Sequence, residues 1–216
     1  MIGWAIHPPA SGDGQSGQPV TRETEQHLSA AETAIQKTKT VLERHEYKGT
    51  LQTYVTLGFI SQLLEHHDAA LLLIKYRMLG TAFSLARAAV EGMYRALWLD
   101  NCATDQQIKK FVQKDKFPLS TADVATAVDK KFETNGYFAR LQKRSWKVLN
   151  SLAHTGRVQL THRFTGSLTK PSYTDEQIVR ATHAMNTCTL ILVSKFLAAR
   201  DHTEDSEEVA NLLTVL

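Results

Sequence analysis

The chain is poor in the features that staple, span or coordinate. It holds two cysteines in 216 residues. Cys102 and Cys188 lie far apart and in no metal-ligand spacing, which excludes a disulfide-framed scaffold and points to a reducing, cytoplasmic setting. The longest apolar run, Ala69 to Ile74, falls far short of the ~20 residues that span a bilayer. No basic segment followed by an apolar one opens the chain, so neither a membrane partner nor a secretory leader is expected. Gly-rich phosphate loops, H-E-x-x-H, C-x-x-C and G-x-S-x-G are all missing. His66 and His67 are adjacent, so on a helix they diverge by about 100° and do not chelate as an i,i+4 pair would. They read as a solvated helix corner. The expectation is no metal and no cofactor. A net charge of +3 does not by itself argue for nucleic acid, although its distribution does.

What is present is helical periodicity. An apolar fraction of 43% over this length supports one domain with a sizeable core. Residues 1–20 concentrate Pro8, Pro9 and Pro19 with Gly12, Gly14 and Gly17, and read as a disordered arm in which only Trp4 and Ile6 offer apolar anchors. A helix is expected over Thr21–Tyr47, broken by Gly49. A second runs over Leu51–Leu79, with Gly58 and His66–Asp68 as points of interruption. Gly80 separates it from a third, Gly80–Asp100, around which the rest is organised. There Phe83, Ala86, Val90, Met93 and Leu97 recur at helical spacing, while Arg87 and Glu91 sit one turn apart beside Tyr94 and Trp98. Charged residues at the edge of so apolar a helix need partners.

Capping signals at Thr104–Gln107 and Ser120–Asp123 open two short helices in an insertion over residues 101–136. A further core helix covers Tyr137–Ala153, with Gly156 ending it and His154 at its last turn or cap. Thr174–Gln177, a third capping box, opens a long helix to about Arg200. The acidic stretch of residues 201–216 forms a tail that docks or frays. No segment alternates with period two. The fold class is therefore all-α: a bundle of four to five long helices (residues 21–200) with a short helical insertion.

On the helix Tyr137–Ala153 one face gathers Lys143, Lys147, Asn150 and His154, with Arg140 and Arg144 alongside, and a basic loop beyond it carries Arg157, His162 and Arg163. The R-x-x-x-E of the central helix, followed by N-S-x-x-H-T-G at Asn150–Gly156, resembles the HEPN-like superfamily, most nearly its bacterial abortive-infection relatives, over about Leu51–Arg200. That resemblance implies a dimerising bundle with a cleft between protomers. In active members the cleft cuts RNA without metal, using an Arg followed a few residues later by a His. It implies a homodimer, RNA as substrate, a bacterial defence or toxin role and a site of His154, Lys147 and Asn150. Arg87 and Glu91 would support that site, and Lys143, Arg144, Arg157 and Arg163 would bind RNA. Lys147 stands where the pattern has Arg, and a lysine carries the charge without the bidentate fork. Two readings follow: a metal-independent ribonuclease or RNA binder, and a non-catalytic helical module that dimerises or binds a protein partner. In the second, His154 caps its helix or meets Glu91, with Asn150 and Arg87 in a shared polar network.

Overall fold

The computed structural model describes residues 20–114, 116–165, 168–169 and 172–214. The arm with Trp4 and Ile6 lies outside them. Nine α-helices are found among the described residues: α1 Arg22–Glu43, α2 Leu51–Lys75, α3 Leu79–Asn101, α4 Asp105–Lys114, α5 Thr121–Phe132, α6 Tyr137–Ala153, α7 Arg157–Thr161, α8 Asp175–Ala198 and α9 Thr203–Asn211. The one departure from an all-α fold is an antiparallel pair of two-residue strands, Phe164–Thr165 with Leu168–Thr169. No described helix is long and apolar enough to cross a membrane.

The helices begin where the caps sit. Thr21, Thr50, Ser120 and Thr174 each accept from a backbone N–H one turn on. Thr174 and Gln177 form a reciprocal box, as do Thr104 and Gln107, whose amide oxygen accepts from the Thr104 N–H at 2.8 Å. Such caps satisfy donors a helix start leaves unpaired. Helix ends are less regular. The α2–α3 break falls at Arg77 rather than Gly80, because Arg77 takes the left-handed conformation (φ 58°) and the Met78 N–H bonds back to the Leu73 carbonyl at 2.8 Å. Gly80 lies inside the first turn of α3. Neither Gly58 nor His66–Asp68 interrupts α2.

Helix α3 is the centre. Its Phe83, Ala86, Val90, Met93, Leu97 and Leu99 are buried, and it packs against α2, α5, α6 and α8. Gly92 permits the approach of α2, since a Cβ there would stand 2.7 Å from Leu63 Cδ1. At the foot of the bundle the Asp100 carboxylate, 2% exposed, accepts from Arg200 at 2.8 and 3.1 Å and from Thr56 at 3.2 Å. His67 corrects the expectation of a solvated corner. It is 1% exposed, because α2 runs unbroken there and turns it inward. Neither ring nitrogen has a hydrogen-bond partner. Burial presses its pKa down to about 4, against a smaller raising effect of the Asp68 charge.

The acidic C-terminal segment docks. Asp205 and Glu208 of α9 accept from Arg44 at 2.5 and 2.7 Å. His45 Nε2 lies 2.5 Å from Asp205, and its ring stacks on His202 at 3.7 Å.

Candidate functional site

The end of α6 is shaped by one serine. His154 is the C-cap, Thr155 follows in the left-handed conformation (φ 51°), and the Gly156 N–H returns to the Ser151 carbonyl at 2.8 Å. Glycine at 156 therefore serves close approach rather than a positive φ: a Cβ would lie 2.5 Å from Ser151 Oγ and 2.8 Å from its Cα. The same hydroxyl accepts from the Val158 N–H at 2.9 Å, starting α7. Gly156 thus stands just past the end of α6 and His154 at its cap, as the sequence suggests, while Thr155 makes the turn. The effect is to hold an exposed imidazole at the edge of α6, facing α3.

Arg87 meets it. Arg87 Nη1 lies 2.6 Å from His154 Nε2. A guanidinium only donates, so Nε2 accepts and the proton of the neutral ring sits on Nδ1. Arg87 Nη2 lies 3.0 Å from Glu91 Oε2, and the other carboxylate oxygen of Glu91 accepts from Arg95 Nη2 at 2.5 Å. The Arg87 guanidinium carbon sits 4.9 Å from the centre of the Trp146 ring, and that of Arg95 lies 5.2 Å from the Phe117 ring. Trp146, Asn150 and His154 recur at i, i+4 and i+8, so α6 presents one stripe to α3, with Asn150 between the two residues that touch Arg87. Asn150 Oδ1, an acceptor, and Arg87 Nε, a donor, are both buried without a partner.

The sequence-predicted residues divide. His154, Asn150, Arg87 and Glu91 are brought together, but the contact to His154 comes from Arg87, one turn from Glu91, rather than from Glu91 itself. The guanidinium that meets His154 comes from α3 and not from α6. Lys143, Arg144 and Lys147 lie exposed along α6, with Lys143 and Lys147 at the outer edge of the His154 stripe. Arg157 is exposed at the start of α7. Arg163 is not brought to the cluster: its guanidinium lies against Gly80, whose carbonyl accepts from Gln159 at 3.1 Å. Gly80 is seven residues from Arg87, about 10 Å along α3. Arg95 and Trp146 were missed by sequence reasoning. The i,i+4 spacing of Arg95 from Glu91, and of Trp146 from Asn150, was the available signal.

Two other features stand apart. A groove of about 650 Å³ between α1 and α2, lined by Leu28, Leu71, Leu72, Ile74 and Arg77 among others, contains none of these residues. His162, expected in a basic loop, is buried and stacked on Tyr173 at 4.7 Å, and burial lowers its pKa. No group of three potential metal ligands occurs among the described residues.

The stretch that carries this arrangement, from within α2 through α9, is also what comparison recognises. A family model described as a family of unknown function, DUF6988, matches residues 60–213. The chain belongs to that family. The DUF6988 match takes in the whole of α3, α6 and α8, and with them every member of the Arg87–His154 cluster. No curated protein and no solved structure matches the chain.

Proposed function

We propose that this protein acts on RNA as a metal-independent endoribonuclease of HEPN-like type, working as a homodimer in the bacterial cytoplasm in defence or as a toxin. The observation that carries the reading is the 2.6 Å contact between the Arg87 guanidinium and His154 Nε2 on an exposed helix end. It restores, from a neighbouring helix, the Arg–His pair that the α6 sequence lacks. Lys143 and Lys147 extend the cationic surface on the same side.

The chemistry needs no cofactor. A phosphodiester drawing Arg87 off the imidazole frees Nε2 as a base. The 2′-hydroxyl proton passes to Nε2, the 2′-oxygen bonds to phosphorus, and the bond from phosphorus to the 5′-oxygen breaks. That oxygen recovers the proton from the imidazolium, leaving a 2′,3′-cyclic phosphate and a 5′-hydroxyl. Arg87 stabilises the extra negative charge as it develops. Asn150, whose side-chain oxygen is buried on the stripe facing α3, positions Arg87 and His154, and Lys147 binds backbone.

The test is incubation of purified protein with single-stranded RNA in chelator, alongside His154→Ala and Arg87→Ala proteins shown to fold by circular dichroism. Cyclic-phosphate ends from wild type alone are the expected result. Cleavage that survives in both variants overturns the assignment. A second reading, a non-catalytic helical interaction module, is favoured by one observation: Arg87 is held by Glu91, His154 and Trp146 together, as a structural strut would be. It predicts no cleavage under any condition, with association of protomers unchanged by His154→Ala.

A further inference from the structure

Arg87 and Arg95 stand eight residues apart on α3, about 12 Å along its axis, and Glu91 lies midway with one carboxylate oxygen turned to each, at 3.0 and 2.5 Å. Each guanidinium is stacked on a ring, Trp146 or Phe117, which limits its swing and keeps its donors in a defined plane. Neither arginine engages Glu91 through two parallel bonds: Arg95 gives it one hydrogen bond through Nη2, and Arg87 forms an ion pair with it through Nη2. Both forks thus retain donors. The group is open to solvent, with Arg95 37% and Arg87 21% exposed. Lys143 and Lys147 lie exposed on the side of α6 that carries His154, and among the described residues Glu91 is the carboxylate that pairs with both arginines.

Two forks converging on one monoanion, with donors left over, make a seat for an anion larger and more highly charged than a carboxylate. A phosphodiester brings the same single charge and the same two free oxygens as Glu91, so it gains little by displacing it and meets Arg87 only through the Nη1 that faces His154. A phosphate monoester brings a charge of about −1.5 to −2 and three acceptor oxygens.

We propose that the Arg87–Arg95 pair is a binding seat for a terminal phosphate of an RNA strand, and that Glu91 is the resident competitor that makes the seat selective for that end over internal phosphodiesters. This deepens and rests on the RNA reading. Glu91 occupies the seat when no end is bound and swings out when a monoester enters. The 5′- and 3′-phosphate ends share this chemistry, and binding them separately tells which is preferred.

The experiment is equilibrium binding of the full chain to one short RNA carrying a 5′-phosphate, a 3′-phosphate or only hydroxyl ends, with inorganic phosphate as competitor, repeated with Glu91→Gln. Wild type is expected to bind one phosphorylated form about tenfold more tightly than the hydroxyl-ended strand, and Glu91→Gln to tighten the hydroxyl-ended strand about tenfold and so erase most of the difference. Equal binding of all three strands by wild type overturns the proposal. So does weaker binding of every strand by Glu91→Gln, which would make Glu91 a support for the arginines. If Glu91→Gln does not fold, the wild-type comparison alone decides. RNA bound and cut without regard to its ends removes the seat and leaves the RNA reading standing. Inorganic phosphate bound more tightly by Glu91→Gln, with no RNA bound by either protein, removes the RNA reading and keeps a phosphate seat.

Discussion

Helix α3 carries two arginine–carboxylate groups of opposite design. At its end, Asp100 is 2% exposed and closed in on every side: Arg200 meets both oxygens, Thr56 adds a hydroxyl, and Arg200 also donates to the Phe196 carbonyl at 2.9 Å and lies over the Phe196 ring at 3.6 Å. In its middle, Arg87, Glu91 and Arg95 form single bonds at a partly open surface, touch an exposed histidine and leave Arg87 Nε and Asn150 Oδ1 unpartnered. The Asp100 group ties α2 and α3 to the end of α8, with the Arg200 guanidinium donating to Asp100, Thr53 and the Phe196 carbonyl. The Arg87 group ties little and offers much. Completeness of pairing, more than the presence of charge, separates a structural ion pair from a candidate site.

That contrast is open to test. The largest expected effect is on stability at the closed group. Arg200→Ala, which leaves the Asp100 carboxylate buried and unpaired, is expected to cost about 3–5 kcal/mol in urea unfolding. Next comes His67. Its folded pKa of about 4 lies below the ordinary 6.5, so below pH 6.5 the unfolded chain takes up a proton that the native one refuses. Stability is therefore constant above that pH and falls as pH drops from 6.5 to about 4, by roughly 3 kcal/mol. Comparing unfolding curves with those of His67→Leu isolates the effect from that of His27, His162 and His183, whose pKa values burial also lowers. At the open group, Arg87→Ala and His154→Ala are each expected to change stability by less than about 1 kcal/mol while abolishing the RNA cleavage proposed for the pair. A loss as large as that of Arg200→Ala would erase the contrast and make Arg87 a strut. Smallest is Thr155→Gly, which relieves a β-branched residue of its left-handed backbone and is expected to raise stability by about 0.5 kcal/mol, read as a higher melting temperature.

Much of this architecture was legible in the chain. Thr174–Gln177 and Thr104–Gln107 announce their helices because capping is local chemistry, and the α6 span Tyr137–Ala153 followed from periodicity. The end of α2 was not legible. Nothing about Arg77 advertises a left-handed residue, and glycine at position 80 drew the boundary to itself. Gly156 marked the end of α6 correctly, but its hydrogen in place of a Cβ serves Ser151, while Thr155 makes the turn. At the candidate site, the stripes on α3 and α6 were each visible. Their meeting was not, because α4 and α5 intervene and no periodicity encodes which stripe faces which. Hence Arg87 was placed beside Glu91 correctly, yet its contact with His154 had to come from the fold. His67 was misplaced because a polar residue next to another polar residue looks like surface, whereas α2 continues through both.

The clasp between α1 and α9 has a consequence in time. Arg44 and its partner Asp205 are 161 residues apart, and a ribosome adding ~5–20 residues per second needs on the order of ten to thirty seconds to deliver the second after the first. Through that interval the C-terminal part of α1 has its packing and the Lys39–Asp68 ion pair with α2, and Arg44 and His45 lack their partners on α9. The clasp on α1 therefore closes only after α9 has been made.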